Sequence, residues 1–329
     1  MSDYLPLSLD AGAGAIKVYG PHGGLQVLAQ VSANSQHSVG RLLGLASQKP
    51  PLHIQDNATS FYVDAGAHDW GRPVENLSHD RFSGTPEMRA LFKAALTRYS
   101  QQCGPLDAPL QIMLGLPLEP LSGSDAPLTV DGARRWLKGA HTWQADDCDY
   151  HVDVAEVKVT SQPVGALFDY LLDDEGRFIP ARKTAFTQEV GIISIGFNTI
   201  ELLVVRDKAP VQRFTAGTTA GVRRLLELVN QQRLYSLGEL DVLLRAGKLD
   251  VREALPIWER EVTGFIEQRW GTAWRRFAAL LLVGGGALLL KDTLPARFQG
   301  KAVLPAEPIL SIARGLYKLN LSNLRQKKA

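Results

Sequence analysis

The sequence predicts an internally duplicated α/β protein with a cleft between its two halves. In residues 5–31 and in residues 190–217, short apolar runs alternate with turn residues. This pattern predicts three strands joined by two turns in each segment, and the first turn contains glycine. Helical patterns follow each unit, and a chain of 329 residues exceeds the usual size of one hydrophobic core. Two such units packed side by side leave a cleft, which is a common place for a ligand.

Composition excludes several classes of protein. A hydrophobic content of 45% and a charged content of 21% are ordinary for a globular chain, so wholesale disorder is not expected. The net charge of +2 is too small for a protein that neutralises many phosphates, so no direct binding to nucleic acid is predicted. The most apolar segment, residues 278–290, is too short to span a bilayer and contains three glycines, so no membrane association is predicted.

The cysteines and the first residues predict a cytoplasmic location. Cys103 and Cys148 lie far apart without CxxC spacing, which is typical of reduced thiols and not of a disulfide framework or a zinc site. The chain begins MSDYLPLSLDAG, which lacks the basic region and apolar run of a secretory signal.

In the first half, the elements after residue 31 begin with a predicted strand over residues 60–67. A helix is predicted to start with Thr85 as N-cap and Pro86 in its first turn, because apolar residues recur at helical spacing after it. A short buried strand over residues 110–117 follows, and residues 140–160 alternate as further strands.

In the second half, residues 163–172 read as a helix that leads into the second meander. Helices are predicted at about 218–232 and 252–278, and a final helix begins near Glu307. One face of the 252–278 helix carries Trp258, Val262, Phe265, Ile266, Trp270, Trp274 and Phe277, a pattern typical of core packing.

The chain is predicted to cross between the halves near residue 172 and again near residue 304. We therefore expect a domain I over residues 1–172, with the C-terminal helix of residues 305–329 packed back onto it, and a domain II over residues 173–304. No low-complexity linker separates these parts.

The first glycine loop, residues 10–17, reads DAGAGAIK. Phosphate binding needs concentrated N–H donors, and glycine lets the backbone approach without a Cβ in the way. Asp10 could hold Mg²⁺ through water, and Lys17 supplies a compact positive charge for a phosphate. Taken alone, such a hairpin is more often only a turn.

Two further segments point to the same chemistry. The second glycine loop, residues 194–199, sits at the same place in the second meander, and two such loops could bind a polyphosphate from opposite sides. The glycine triplet, residues 284–286, follows an apolar strand and precedes a helical run, which favours close approach of a nucleotide to the backbone. Neither a GxxxxGK[ST] nor a GxGxxG pattern is present, so the commonest nucleotide folds are not indicated.

Five sequence blocks occur in the order DAGAGAIK, SQPVGALFDYLL, IISIGFNTIEL, LLVGGGALLL and ARGLYKL. Together they resemble the actin-like ATPases, in particular the ParM/StbA plasmid-segregation group and its archaeal actin relatives, over nearly the whole chain. The blocks WGRPVENLSHDRFSGTPEMRALFKAAL and MLGLP are also similar to that group. The resemblance implies an actin-like fold, a duplicated ribonuclease H-like α/β architecture with two domains around a nucleotide cleft, and the cofactors ATP and Mg²⁺.

The resemblance also implies roles for individual residues. Asp10 would lie near Mg²⁺, Lys17 would contact the phosphates, and Gln162 would orient the attacking water. A neutral glutamine is a poor base, so hydrolysis would be slow; the alternative for Gln162 is a surface residue at a helix start. The implied nucleotide contacts are Gly12, Ala13, Gly14, Lys17, Ser194, Gly196, Phe197, Asn198, Thr199, Gly217 at the start of an adenine-binding helix, Gly284, Gly285 and Gly286.

The sequence departs from the family pattern at the start of the second glycine loop. Ser194 stands where an aspartate is usual, and a hydroxyl is a weaker partner than a carboxylate for a hard cation and its waters. Three interpretations follow: Asp10 and the phosphates hold the metal alone, turnover of ATP is slow, or the protein binds nucleotide with impaired hydrolysis.

The resemblance implies a polymerising ATPase. ATP would favour a head-to-tail filament, hydrolysis would destabilise it, and plasmid or other DNA cargo would be moved through an adaptor protein. One alternative is a small-molecule kinase, similar to sugar or acetate kinases, which needs a carboxylate base such as Asp64 or Asp69. Another is a non-polymerising scaffold switched by nucleotide.

Overall fold

The computed structural model of the chain describes residues 4–34, 49–56 and 59–328, which form two β-sheets and the helices around them. The strands of the first sheet are β1 Leu5–Ala11, β2 Ala15–Gly20, β3 Gly23–Leu28, β4 Val31–Asn34, β5 Leu52–Asp56, β6 Thr59–Val63, β7 Gly71–Pro73, β8 Leu110–Leu116, β9 Gly139–Ala145 and β10 Cys148–Ser161. Those of the second sheet are β11 Val190–Ile195, β12 Ile200–Arg206, β13 Ala209–Pro210, β14 Ala216–Thr218, β15 Ala279–Val283 and β16 Ala302–Val303. The helices are α1 Pro86–Gln102, α2 Ala126–Leu137, α3 Gln162–Leu171, α4 Pro180–Lys183, α5 Val222–Val229, α6 Leu237–Arg245, α7 Leu255–Trp270, α8 Gly285–Leu289, α9 Leu294–Arg297 and α10 Ser311–Lys328.

The two sheets repeat one topology. The order β3-β2-β1-β8-β10 in the first sheet corresponds to β13-β12-β11-β15-β16 in the second. In each, the first strand of the unit pairs antiparallel with the second and parallel with the strand on its other side. The predicted duplicated α/β fold is therefore confirmed. The first sheet continues through β9, β5, β6, β4 and β7, which have no counterpart in the second sheet.

The central strands are apolar on both faces because helices cover them. Every residue of β8, β11 and β15 is buried, as is usual for parallel strands inside a layered α/β protein. Two separate cores result, one around the first sheet and α1, the other around the second sheet and α7. A third apolar cluster lies between the sheets and includes α3 and α10.

Helices α3 and α10 cross in direct backbone contact. A Cβ on Gly315 would lie 1.8 Å from the carbonyl oxygen of Gly165, so neither helix could approach as closely with a larger residue there. Helix α10 is also bound to the first sheet: Ser8 donates a hydrogen bond to the carbonyl of Ala313 at 2.6 Å. Asn320 donates to two carbonyls of β1 and β8. The chain thus returns from the second sheet to the first.

The predicted domain boundaries at residues 172 and 304 stay a prediction. Residues 1–3, 35–48, 57–58 and 329, which fall within the predicted domain I, lie outside the described residues.

Several predicted helices have different bounds in the structure. Helix α7 ends at Trp270, because Gly271 adopts a φ of 51° at its end, so the predicted helix over 252–278 was too long. Trp274 and Phe277 therefore lie beyond the helix. The final helix begins at Ser311 and not near Glu307, and helices α2, α4, α6 and α9 were not predicted.

Two smaller predictions concern the thiols and the apolar segments. Cys103 and Cys148 are both free thiols. Within the described ranges, no helix is both long and apolar enough to cross a bilayer.

Candidate functional site

A cavity of about 330 Å³ lies between the two sheets, a volume in the range of small-molecule sites. Thirteen of the fifteen residues predicted for the site line it: Asp10, Gly12, Ala13, Gly14, Lys17, Gln162, Ser194, Gly196, Phe197, Asn198, Thr199, Gly284 and Gly285. Strands β1, β2 and β11, the loops that follow β1, β11 and β15, and the first residues of α3 and α8 supply these residues. Gly217 and Gly286 do not line the cavity.

Asp10 is the centre of a polar cluster in this cavity. The ammonium of Lys17, which faces Asp10 across the β1–β2 hairpin, lies 3.1 Å from one carboxylate oxygen. The side-chain amide of Gln162, the first residue of α3, donates a 2.6 Å hydrogen bond to the other oxygen. Asp10 is 2% exposed and Gln162 is 6% exposed, so the alternative of a surface glutamine is wrong.

The second glycine loop closes the hairpin between β11 and β12 and also caps a helix. Gly196 donates to the carbonyl of Thr199 at 2.9 Å, which fixes the turn. The loop carbonyls of residues 196–198 accept hydrogen bonds from the backbone of residues 221–223 at the start of α5. The side-chain oxygen of Asn198 is buried without a hydrogen-bond partner in the described part of the chain.

The predicted placement of Gly217 at a helix start needs correction. Gly217 lies in β14, where it pairs with Glu201. Helix α5 begins at Val222, with Gly221 as its N-cap. Gly221 is the glycine that packs against the second loop, because a Cβ there would lie 2.6 Å from the carbonyl oxygens of Gly196 and Phe197.

The three residues of the glycine triplet have different surroundings. Gly284 has a φ of 91°, and a Cβ there would lie 2.3 Å from the carbonyl oxygen of Ile195. Gly285 lines the cavity and has open space where a Cβ would be. Gly286 faces away from the cavity and towards the side chain of Ile195. A Cβ on Gly286 would lie 2.2 Å from the Cγ2 atom of Ile195. Gly286 therefore allows α8 to pack against β11. The predicted contact of Gly286 with the nucleotide is wrong.

The first and second glycine loops touch each other directly. A Cβ on Gly14 would lie 2.5 Å from the Cβ of Phe197. Only glycine at position 14 allows this approach, because any side chain would separate the loops. The two loops thus form one continuous wall of the cavity.

Arg81 lines the cavity and was not predicted. Its guanidinium donates to the carbonyl of Ala11 at 3.4 Å, and its Nε is buried without a partner among the described residues. Burial lowers the pKa of Arg81 to about 10, while the charges of Asp10 and then Glu87 act in the opposite direction. Arg81 therefore stays positively charged at neutral pH and adds a second cation beside Lys17.

Helix α6 forms the remaining polar wall. Arg245 donates to Asp241 at 2.8 Å and, across the cleft, to Gln26 at 3.3 Å. Burial raises the pKa of Asp241, opposed by Arg245 and then Lys17. Apolar side chains complete the cavity, namely Leu77, Val222, Leu244, Leu288, Leu289, Ile309 and Ile312.

The donor set suits a magnesium nucleotide. Lys17 and Arg81 supply positive charge for phosphates, Asp10 supplies a carboxylate, and the apolar wall suits a base. The buried, unpartnered atoms of Asn198 and Arg81 also leave hydrogen-bonding capacity for a ligand. No group of three or more His, Cys, Asp or Glu side chains capable of holding a metal occurs in the described ranges.

The carboxylates weighed for a kinase lie elsewhere. Neither Asp64 nor Asp69 lines the cavity. Asp64 instead accepts a hydrogen bond from the backbone of Leu28 at 3.0 Å and lies 3.8 Å from Arg98.

Comparison with known families gives one match. Residues 8–165, slightly less than half of the chain, match the family described as actin-like proteins, N-terminal domain. No curated protein matches the sequence significantly.

Solved structures extend the likeness in fold to nearly the whole chain. Apo psk41 ParM is 15% identical, with a TM-score of 0.73 and coverage of 99% of both chains. The archaeal actin homologue Ta0583, solved in complex with ADP, is 17% identical, with a TM-score of 0.71 and coverage of 98% of this chain and 99% of that one. A 15-stranded ParM filament from Clostridium botulinum is 18% identical, with a TM-score of 0.72 and coverage of 97% and 99%. The actin-like fold predicted from the sequence is confirmed.

Proposed function

We propose that this actin-like protein binds ATP with Mg²⁺ in the cavity between its sheets and assembles into filaments under control of the bound nucleotide. The observation that supports this most is the convergence of Asp10, Lys17 and Gln162 with both glycine loops at one cavity. The ADP complex of the archaeal homologue supports nucleotide as the ligand.

Each polar residue of the cavity would have its own role in nucleotide binding or hydrolysis. Lys17 and Arg81 neutralise the phosphate charge, and Asp10 holds the hydrated cation. Bound Mg²⁺ would supply charge stabilisation at the phosphates. Gln162 orients a water for attack without removing its proton, which makes hydrolysis slow. The bond from Gln162 to Asp10 keeps the amide at the cavity wall.

Assembly would be head to tail between copies of this chain, a heterologous contact that generates a fibre because it does not close. The filaments of ParM from Clostridium botulinum and of Alp12 support self-association as the mode of action. We further propose a cytoplasmic role in plasmid or DNA segregation, with an adaptor protein between filament and cargo, since the net charge of +2 does not favour direct DNA binding.

Light scattering followed by negative-stain electron microscopy tests the proposal. Purified full-length protein should form filaments after addition of ATP and Mg²⁺ and remain unassembled without nucleotide. Phosphate release should be measured in the same samples. Nucleotide binding without any assembly would favour the switched scaffold, and transfer of phosphate to an added sugar or acetate would favour the kinase.

A further inference from the structure

Glu201 is a buried carboxylic acid beside the cavity, and the proposed function leaves it unused. It lies in β12 directly opposite Ser194 in β11. Directly opposed residues of an antiparallel pair project from the same face of a sheet, with Cβ atoms roughly 5 Å apart. Ser194 lines the cavity, so the side chain of Glu201 lies next to a residue of the cavity wall, although Glu201 itself does not line the cavity.

The hydrogen bonding of Glu201 is incomplete. One carboxylate oxygen accepts a 2.5 Å hydrogen bond from the backbone N–H of Leu118, which follows the cavity residue Pro117. The other oxygen, Oε2, is buried without a partner among the described residues. The side chain is 2% exposed, so bulk water does not satisfy this oxygen. An unpaired oxygen of this kind costs free energy unless a ligand or an ordered water completes it.

The charges around Glu201 favour a cation. Burial raises the pKa of Glu201 to about 8; the Leu118 hydrogen bond opposes this shift, and the negative charges of Asp10 and then Glu119 add to it. A divalent cation near both groups would relieve this repulsion and favour the ionised form of Glu201.

We propose that Glu201 replaces, from the neighbouring strand, the carboxylate that Ser194 does not supply. Its free Oε2 accepts a hydrogen bond from water that hydrates the Mg²⁺ of the bound nucleotide, and Leu118 fixes its orientation. The inference rests on the proposed nucleotide site. Glu201 is a positioning residue, since it acts on the cation through water and does not touch the nucleotide.

Glu201→Gln is the informative variant. Glutamine has the same shape and still accepts the hydrogen bond from Leu118, but it has no charge. The affinity for a fluorescent ATP analogue should be measured with Mg²⁺ and with EDTA. Glu201→Gln should weaken binding with Mg²⁺ by roughly 10–100-fold, the usual effect of losing a residue that orients a metal's ligands, and leave binding in EDTA unchanged.

Rescue separates this role from a structural one. Adding Ser194→Asp to Glu201→Gln returns a carboxylate to the same wall and should recover most of the Mg²⁺-dependent affinity. Glu119→Gln, which removes an exposed carboxylate nearby, is the matched control and should leave the affinity unchanged. Thermal unfolding without ligand checks that each variant folds.

Three results would overturn the inference alone: unchanged binding in Glu201→Gln, an equal loss with Mg²⁺ and with EDTA, or no recovery in the double variant. Wild-type protein that binds no nucleotide would overturn both the inference and the proposed function.

Discussion

At the scale of single residues, the task proposed for Gln162 is to orient a water molecule. Its amide is held 2.6 Å from Asp10 at the start of α3, where it can orient a water but cannot act as a strong base. Gln162→Ala should therefore bind ATP with near wild-type affinity and release phosphate at least tenfold more slowly, because orientation carries the rate. Gln231→Ala, an exposed glutamine outside the cavity, is the control. Unchanged phosphate release in single-turnover assays would remove Gln162 from this role.

Glu201 also predicts a pH dependence of stability. Its pKa in the folded protein is raised to about 8, mainly by burial, against about 4.3 for an unfolded glutamate. The folded state therefore holds the proton more tightly, and the free energy of unfolding falls as pH rises from about 5 to 8, by a few kcal/mol at most. Urea unfolding of nucleotide-free protein at pH 6 and pH 8.5 should show this loss in wild type and a smaller one in Glu201→Gln. Equal losses in both proteins would contradict this assignment.

At the scale of elements, the crossing of α3 and α10 depends on Gly315. A methyl group there would meet the carbonyl of Gly165 at 1.8 Å, so Gly315→Ala should lower the free energy of unfolding by about 1–3 kcal/mol or more. Gly264→Ala in α7 is the matched control, since no atom lies within 4 Å of its Cβ position. That change should be neutral or stabilising by up to about 1 kcal/mol. Similar unfolding curves for both variants would show that the crossing is not close-packed.

Local sequence patterns predicted the elements and loops that depend on neighbouring residues alone. The glycine loops and the meanders are local patterns, so residues 10–17 and 194–199 were recognisable without the fold. Helix α7 was drawn too long because Trp274 and Phe277 continue its apolar spacing after Gly271 ends it. Helices α2, α4, α6 and α9 were missed.

Arg81 and Glu201 were missed because only long-range packing places them at the site. The contact of Arg81 is with a residue 70 positions away, and that of Glu201 with one 83 positions away. In sequence, Arg81 reads as part of a polar turn and Glu201 as one polar residue in the strand IELLVV. A lone acid inside an otherwise apolar strand was the one signal that could have drawn attention to Glu201.

At the scale of the whole molecule, contacts across the cleft hold the two halves together around the cavity. Gln30, 5% exposed, donates to the carbonyl of Gly238 in α6 at 2.7 Å and accepts from the backbone of Gly66 at 3.0 Å. Arg245, at the other end of α6, reaches Gln26. We expect exchange of the proposed nucleotide to require these contacts to open.

Gln30→Ala should therefore speed the release of a bound fluorescent ATP analogue about fivefold, the effect of losing one hydrogen bond worth about 1 kcal/mol. Stopped-flow displacement by excess ATP measures this rate. Gln55→Ala, on the exposed side of β5, is the control and should release nucleotide at the wild-type rate. Identical rates for Gln30→Ala and wild type would mean that α6 does not gate the cavity.

The proposed function requires the cavity around Asp10 to be a magnesium-nucleotide site. The most direct measurement is an ATP titration of the full-length protein with Mg²⁺ and with EDTA, for wild type and for Asp10→Asn. Asparagine has the shape of aspartate and still offers an oxygen that accepts the hydrogen bond from Gln162. It lacks the negative charge that contacts Lys17 and that would attract Mg²⁺. Wild type should bind ATP tightly and in a Mg²⁺-dependent way, and Asp10→Asn should lose that dependence. Equal Mg²⁺-dependent binding by the two proteins, or no binding by wild type, would contradict it.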